Sequence, residues 1–321
     1  MNDTSFGTAR TTDPYLRKRR RRRLLIGSAV ILGVAACAVG ASFGVSAIAS
    51  ARSSPKVSQE DVLGLWAAKD YLAVAQACEV SLSVDPLDPF YLLFDGFASF
   101  YLGLAETDGE LRGARMDDAI FSIRKALIAP DTPLRPEASY VLGKAYYHKG
   151  VDYYNEAIDY LNESASLGYY QSDTWEYLAL AARGAGRLAE SLAYFDKAVE
   201  LKPDSPELSL AAASAFVDAG DAAKGERLAA AALESTTDDF LAERSRFLLA
   251  DIYRKSGRPD DALAQYEAIK ALNGESADAW FYEGLVYSEA GDPIKARAAW
   301  RKAVNIDPMH AAARQKLSER S

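Results

Sequence analysis

Apolar residues in segment 172–203 recur at intervals of three and four positions, in two runs that Gly186 separates. Such spacing places the apolar side chains on one face of a helix. A glycine at the break permits a positive φ, and Pro203 after the second run cannot continue a helix. The pattern predicts two short amphipathic helices joined by a tight turn. Its positions are Trp175, Leu178, Ala179, Ala182, Gly186, Ser191, Phe195, Ala198 and Pro203.

The same pattern returns in residues 278–308 with the same offsets. One position departs from it, because Glu283 stands where leucine is usual. Agreement over so many positions indicates a repeated module and not one isolated helix pair. The matching residues are Trp280, Gly284, Tyr287, Gly291, Ala296, Trp300, Ala303 and Pro308.

Weaker copies extend this register over most of the chain, giving about seven units in residues 55–310 and a predicted capping helix in residues 311–321. The second unit departs most, because about eleven extra residues follow Gly103. The fifth is degenerate, with Gly225 where alanine belongs. The weaker units begin near Pro55, Pro89, Pro136, Pro206 and Glu243.

These offsets resemble the tetratricopeptide repeat, a helix–turn–helix unit of about 34 residues with the pattern W-x2-L-G-x2-Y…A-x3-F…A…P. The resemblance implies an all-α fold, in which units stack into a right-handed superhelical solenoid. One unit cannot bury its apolar face alone, so neighbouring units must pack together. Small residues such as Ala262 and Ala296 allow the helices of a unit to cross closely, while Tyr266 and Trp300 fill space against the next unit.

Residues 24–51 form an uncharged tract rich in apolar and small residues. A helix needs about 20 such residues to cross a bilayer. The basic run Arg17–Arg23 precedes the tract, and the positive-inside rule places that run in the cytoplasm. We therefore expect a single transmembrane signal-anchor in the inner membrane. Residues 1–23 would then be cytoplasmic, and the repeat body, residues 52–321, periplasmic.

Two other fates of this tract remain open. The segment Ala47-Ile48-Ala49 resembles a signal-peptidase site, whose cleavage would leave a soluble secreted protein. The segment Val34–Cys37 resembles the bacterial lipobox, whose cysteine is lipidated after cleavage. Apolar sequence continues past Cys37, which favours the uncleaved anchor. All three fates export the repeat body.

The charge distribution argues against nucleic-acid binding. Residues 1–23 carry a net charge of +6, whereas residues 52–321 carry −14. An acidic body cannot neutralise phosphates. The arginine run adjoins the apolar tract, which favours a membrane-flanking role.

Composition and motifs also argue against catalysis, metal binding and a disulfide framework. The chain has two cysteines, Cys37 and Cys78, and two histidines, His148 and His310, at spacings that suit neither a disulfide framework nor a metal site. No nucleophile elbow, phosphate-binding loop or H-E-x-x-H motif is present. We expect a protein that is not an enzyme and uses no cofactor.

In the resembled family, the first helix of each unit lines a concave groove that holds peptide segments. Carried onto this register, the groove is aromatic in the first units and mixed and charged in the last ones. The further groove positions are Leu63, His148, Glu176, Leu180, Arg183, Phe247, Asp251, Lys255, Phe281 and Leu285. The candidate binding residues are Trp66, Phe90, Leu93, Phe97, Phe100, Tyr101, Tyr140, Lys144, Tyr147 and Arg254.

The aromatic positions also have a structural interpretation, in which Phe97, Phe100 and Tyr101 are core residues of one long helix. Exposure decides between the two, because accessible rings on the concave face mark binding sites. The sequence predicts a membrane-tethered scaffold that binds proteins through its groove, in envelope assembly or translocon assistance. The alternative is a carrier of apolar ligands, such as lipid or unfolded segments. The partner, the pathway and the oligomeric state cannot be read from the sequence.

Overall fold

The computed structural model describes residues 56–319, which form fifteen α-helices, one 3₁₀ turn at Val151–Tyr153 and no strand. The predicted segments 1–23 and 24–51 lie outside the described residues. No helix within residues 56–319 has the length and apolar character needed to span a bilayer. The helices are α1 (Gln59–Ala67), α2 (Tyr71–Val84), α3 (Pro89–Ala105), α4 (Gly109–Ala126), α5 (Arg135–Lys149), α6 (Tyr154–Ser166), α7 (Thr174–Gly184), α8 (Leu188–Leu201), α9 (Pro206–Asp218), α10 (Ala222–Ser235), α11 (Asp239–Lys255), α12 (Pro259–Leu272), α13 (Ala277–Glu289), α14 (Pro293–Ile306) and α15 (Ala311–Ser318).

The first fourteen helices pair into seven hairpins, from α1–α2 to α13–α14, and each hairpin packs on the next. These hairpins are numbered units 1 to 7, and they follow the predicted register. Helix α15 packs on α14 at the end of the stack, as the predicted capping helix should. The proximal half is defined as units 1–4 (α1–α8) and the distal half as units 5–7 with α15 (α9–α15).

Capping residues set where the helices begin. Asp88, Asp238 and Asp292 precede α3, α11 and α14, and each carboxylate accepts a hydrogen bond from a backbone N–H of the first turn. Such caps satisfy donors that have no partner inside the helix. Proline at the first turn of α3 and α14 costs no hydrogen bond there.

A glycine with positive φ ends the first helix of most units. Gly291 has a φ of 79°, and the next residue, Asp292, donates a backbone hydrogen bond of 2.9 Å to the Tyr287 carbonyl. This geometry satisfies free carbonyls at the end of α13 and turns the chain into α14. Unit 1 has Lys69 at the same place, with a φ of 60°, so a residue with a side chain adopts the left-handed conformation there.

Close crossing inside a unit requires small residues, as predicted. A Cβ on Gly143 of α5 would lie 2.7 Å from Leu161 Cγ and 3.0 Å from the Ala157 carbonyl oxygen of α6. Such distances are shorter than ordinary contacts, so the two helices can approach this closely only with glycine at position 143.

The residues predicted as an insertion in unit 2 do not form a separate loop. The extra residues lengthen both helices of the unit, so that α3 has 17 residues and α4 has 18. Gly103 stays inside α3 and does not form the turn. Its missing side chain makes room for Met116 and Arg115 of α4, whose atoms would lie 2.7 and 2.9 Å from a Cβ there.

The buried core is unevenly divided. One large cluster runs through units 2 to 4 and contains Phe100, Ile123, Leu142 and Leu161, none more than 1% exposed. Smaller, separate clusters lie in units 1 and 2 and in units 4 to 7. Units 2 to 4, all in the proximal half, are therefore the most continuously packed part of the described chain.

Candidate functional site

The structure places much of the predicted aromatic groove in the core. Leu93, Phe97, Phe100 and Tyr140 are 0%, 4%, 1% and 6% exposed. These four side chains therefore do not line an open groove, which corrects the expectation for them. The long helix α3 is enclosed by units 1 and 3, so the structural interpretation holds for Phe97 and Phe100.

The remaining aromatic candidates are half-buried and contact one another. The Trp66 ring lies 5.5 Å from Phe94 and 5.6 Å from Tyr101, and Tyr101 stacks on Tyr71 at 4.7 Å. Phe90 lies 4.6 Å from Phe94. Aromatic contacts of this kind stabilise packing beyond the area that they bury. These rings fill the space where units 1 and 2 meet.

Lys144 is buried and forms its polar contacts within the chain. It is 7% exposed, and its Nζ donates hydrogen bonds to Asp173 (2.9 Å) and Tyr140 (3.1 Å). The Nζ also lies 4.6 Å from the centroid of the Tyr177 ring. Burial opposes ionisation of Asp173, but hydrogen bonds from Tyr140 and Lys144 outweigh it and keep the pKa of Asp173 below its ordinary value. Lys144 therefore connects unit 3 to unit 4.

Tyr147 and His148 extend this cluster along α5. The Tyr147 ring stacks on Tyr154 at 5.4 Å, and His148 Nε2 lies 3.2 Å from the Tyr177 hydroxyl. Burial, with the positive charges of Lys144 and Arg112, lowers the pKa of His148 to about 4. The imidazole is therefore neutral at pH 7.

An open cleft lies instead mainly in the distal half, on the first helices of units 5, 6 and 7, with Arg183 of unit 4 at its edge and Tyr266 of α12 also in its lining. It has a volume of about 740 Å³. We call it the distal cleft. Phe240 and Tyr282 contribute its most exposed rings, at 63% and 36%. Small side chains of α9 leave the space open. The lining residues are Arg183, Glu207, Leu210, Ala211, Ser214, Phe240, Leu241, Arg244, Phe247, Leu248, Asp251, Tyr266, Asp278 and Tyr282.

Three predicted groove positions, Arg183, Phe247 and Asp251, line this cleft. Arg254, another predicted residue, binds Asp251. Arg254 is half-buried and donates to Asp251 Oδ1 at 2.8 Å and to Glu289 Oε1 at 2.6 Å. Arg183 donates to Ser214 Oγ at 2.9 Å. The charged groups in the middle of the cleft are thus mostly paired within the chain.

Arg244 is the exception at the rim. Its guanidinium lies 5.5 Å from the Phe240 ring, and within residues 56–319 it has no carboxylate partner. Arg244 therefore remains available to a ligand that carries a carboxylate.

Sequence reasoning missed Phe240 and Leu241. Both precede the register of unit 6, which was expected to start near Glu243, because α11 begins at Asp239 and has 17 residues. The signal was Asp238, whose side chain caps α11. A capping aspartate with a second acidic residue and an apolar pair after it predicts the extra helical turn that carries Phe240 into the cleft.

The family models fall on the best predicted units. Residues 172–205 and residues 247–311 match models described as tetratricopeptide repeat. The chain contains tetratricopeptide repeats. Both matches keep the helix–turn–helix frame of the structure, namely α7–α8 in unit 4 and α11 to α14 in units 6 and 7. Residues 56–319 therefore form an all-helical tetratricopeptide-repeat solenoid.

A solved structure supports this fold. The C-terminal part of a TPR repeat-containing protein from Cytophaga hutchinsonii is similar with a TM-score of 0.61 at 16% identity, covering 82% of this chain and 100% of that one. PilF of Pseudomonas aeruginosa gives a TM-score of 0.48 at 18% identity, over 76% of this chain and 98% of that one.

Among curated proteins, "Cellulose synthase operon protein C" of Xanthomonas axonopodis pv. citri is 33% identical over 139 residues. The match covers 40% of this chain and 8% of that protein. The chain thus matches only a small part of that relative's length.

Proposed function

We propose that the protein is a non-catalytic tetratricopeptide-repeat scaffold that binds a partner protein in the distal cleft. The observation that carries this proposal is the open volume of about 740 Å³ lined by first helices, with Phe240 and Tyr282 exposed in it. Exposed rings that converge on a concavity are typical of protein-binding sites. The partner supplies a segment whose apolar side chains cover these rings.

The charges of the cleft favour a protein over an apolar ligand. Arg244 lines it beside the apolar residues and has no carboxylate partner within residues 56–319, so an occupant must satisfy a charge as well as apolar groups. The carrier hypothesis relied on the aromatic first half, and Phe97 and Phe100 there are buried. Native mass spectrometry of the purified chain tests the two alternatives, because bound lipid would favour the carrier.

The proposed setting is the inner membrane. The uncharged tract 24–51 after the basic run Arg17–Arg23 supports a single anchor with the repeat body in the periplasm. One span followed by exported repeats suits a role in envelope assembly or at the translocon, which we propose on layout alone.

Substitution of the two exposed rings tests the binding site. The double variant Phe240→Asp with Tyr282→Asp should lose capture of the partner, because two carboxylates replace the apolar contact. Ile294→Asp is the matched control, since Ile294 is 83% exposed on α14, outside the cleft. Helical circular dichroism should be the same for all three proteins. Undiminished capture by the double variant would reject the distal cleft as the binding site.

A topology experiment tests the tether separately. The full chain should sediment with membranes, and protease added outside spheroplasts should degrade residues 56–319. Release of the chain by alkaline carbonate would argue against an anchor, and a mass that shows cleavage after Ala49 or acylation of Cys37 would favour one of the other fates.

A further inference from the structure

A buried ion pair between units 6 and 7 neutralises Glu283, which stands where the repeat pattern usually has leucine. Glu283 of α13 is 5% exposed, and Lys270 Nζ of α12 donates a hydrogen bond of 2.7 Å to its Oε2. The same Nζ lies 3.8 Å from the centroid of the Trp280 ring. The preceding helix thus supplies the cation, and a tryptophan covers it.

Asp95 of α3 occupies the matching position in unit 2. Glu283 follows Lys270 by 13 residues, and Asp95 follows Leu82 by the same number. Leu82 therefore stands where the cation stands in unit 7. The donor to the Asp95 carboxylate is Ser122, whose Oγ lies 2.7 Å from Oδ2, and within residues 56–319 Asp95 has no ion-pair partner.

An open cleft of about 650 Å³ lies beside Asp95, between the second helices of units 1 and 2. We call it the α2–α4 cleft. Leu72 and Phe121 line it from opposite helices and are 53% and 66% exposed. Glu79 and Asp118 line it with Asp95, against two cations, Arg115 and Lys125.

Burial and the neighbouring carboxylates together disfavour the charged form of Asp95. Burial raises the pKa of Asp95, and the charges of Asp118 and Glu79 raise it further, while the Ser122 hydrogen bond and Arg115 oppose the shift. A cation that entered the cleft would relieve both the burial cost and the repulsion between the carboxylates.

We propose that the α2–α4 cleft is a second docking site, which takes a protein segment that presents a lysine or arginine beside an apolar side chain. The cation pairs with Asp95 as Lys270 pairs with Glu283, and the apolar side chain packs between Leu72 and Phe121. This surface lies between the second helices of units 1 and 2 and includes Asp95 of α3, whereas the distal cleft is lined mainly by first helices of units 5 to 7. The two clefts share no lining residue, so a partner in one does not block the other.

Peptide selection on the purified full-length chain tests this proposal. A random peptide library on phage is selected on the native chain and counter-selected on the variant Asp95→Leu. Leucine already occupies this position in other units, as Leu142, Leu178 and Leu249, so the variant should fold. The retained peptides should share a lysine or arginine next to a leucine or an aromatic residue. A synthetic retained peptide should bind the variant about tenfold more weakly, or weaker still.

Two further variants locate the peptide. Phe121→Ser should weaken binding of the same peptide, and Phe247→Ala in the distal cleft should leave it unchanged. Equal affinity for the native chain and Asp95→Leu, or retained peptides without a cation, would overturn the proposal. Enrichment that appears only when Arg17–Arg23 and Arg52 are replaced by serine would also overturn it, because the chain's own arginines would then be the occupant.

Discussion

Units 2 and 5 show how one helical frame produces two different inner faces. At matching positions α3 carries Leu93, Phe94 and Phe97, whereas α9 carries Leu210, Ala211 and Ser214. The three α3 side chains are at most 4% exposed, while the three α9 side chains line the distal cleft. The helices occupy equivalent places in their units, and at two of the three positions, Phe94 against Ala211 and Phe97 against Ser214, the side chains differ in volume.

This comparison separates stability from binding along the chain. In the proximal half, aromatic rings and the Lys144–Asp173 pair join neighbouring units. In the distal half, alanine and serine on α9 leave space that exposed rings border. Repeat proteins gain much of their stability from contacts between neighbouring units, so the closed half can stabilise the stack while the open half binds.

The largest expected effect distinguishes a buried ring from an exposed one. Phe100→Ala should lower the free energy of unfolding by about 3–5 kcal/mol, because it removes a 1% exposed ring and leaves a cavity. Phe240→Ala, at a ring that is 63% exposed, should change it by less than about 0.5 kcal/mol. Urea denaturation followed by circular dichroism measures both. Equal losses would contradict the division into a packed half and an open half.

A second experiment compares a buried ion pair of the proximal half with an exposed pair that joins unit 4 to unit 5. Lys144→Met should cost about 2–3 kcal/mol, because Asp173 loses its cation in a partly buried place. Lys224→Met in α10 is the matched control, since its partner Asp196 is 53% exposed, and it should cost less than about 1 kcal/mol. A smaller loss for Lys144→Met than for the control would show that the buried pair does not connect units 3 and 4.

The pH dependence of stability tests the packing of the proximal half at His148. The folded chain lowers the pKa of His148 from about 6.5 to about 4, so the unfolded chain binds the proton more tightly. The stability from this group is fully present above about pH 6.5 and is lost as the pH falls towards 4. The loss should be on the order of 2 kcal/mol after allowance for partial exposure.

His148→Gln provides the control for that titration, because carboxylates also titrate in this range. The unfolding free energy of the native chain minus that of His148→Gln should decrease as the pH is lowered from 7 to 4. Parallel curves would show that His148 is protonated equally easily in both states.

The smallest expected effect comes from a substitution that makes the inner face of α9 resemble that of α3. Ala211→Phe gives α9 the residue that unit 2 has as Phe94, and the ring should fill part of the distal cleft. Partner binding should weaken about tenfold, which corresponds to about 1.4 kcal/mol, with little change in stability. Ala223→Phe, at an exposed position of α10, is the control. Binding that survives Ala211→Phe would place the partner elsewhere.

The sequence was sufficient to predict the repeat frame but not to predict which surface stays open. The offsets around Trp175 and Trp280 predicted paired helices, because period and turn glycines are local properties. Burial of Phe97 and Phe100 depends on how α3, lengthened to 17 residues, meets its neighbours, and no local pattern contains that information. Phe240 was missed for a different reason: the added first turn of α11 lies outside the repeat register, although the capping residue Asp238 signals it locally.

Site-specific photo-crosslinking in cells tests the central claim most directly. A benzoylphenylalanine replaces either Tyr282 in the distal cleft or Tyr101 in the proximal half, both tyrosines that are neither fully buried nor fully exposed. The account predicts a crosslinked partner from Tyr282 that disappears when Ala211→Phe is added, and none from Tyr101. A partner captured from Tyr101 but not from Tyr282 would contradict it.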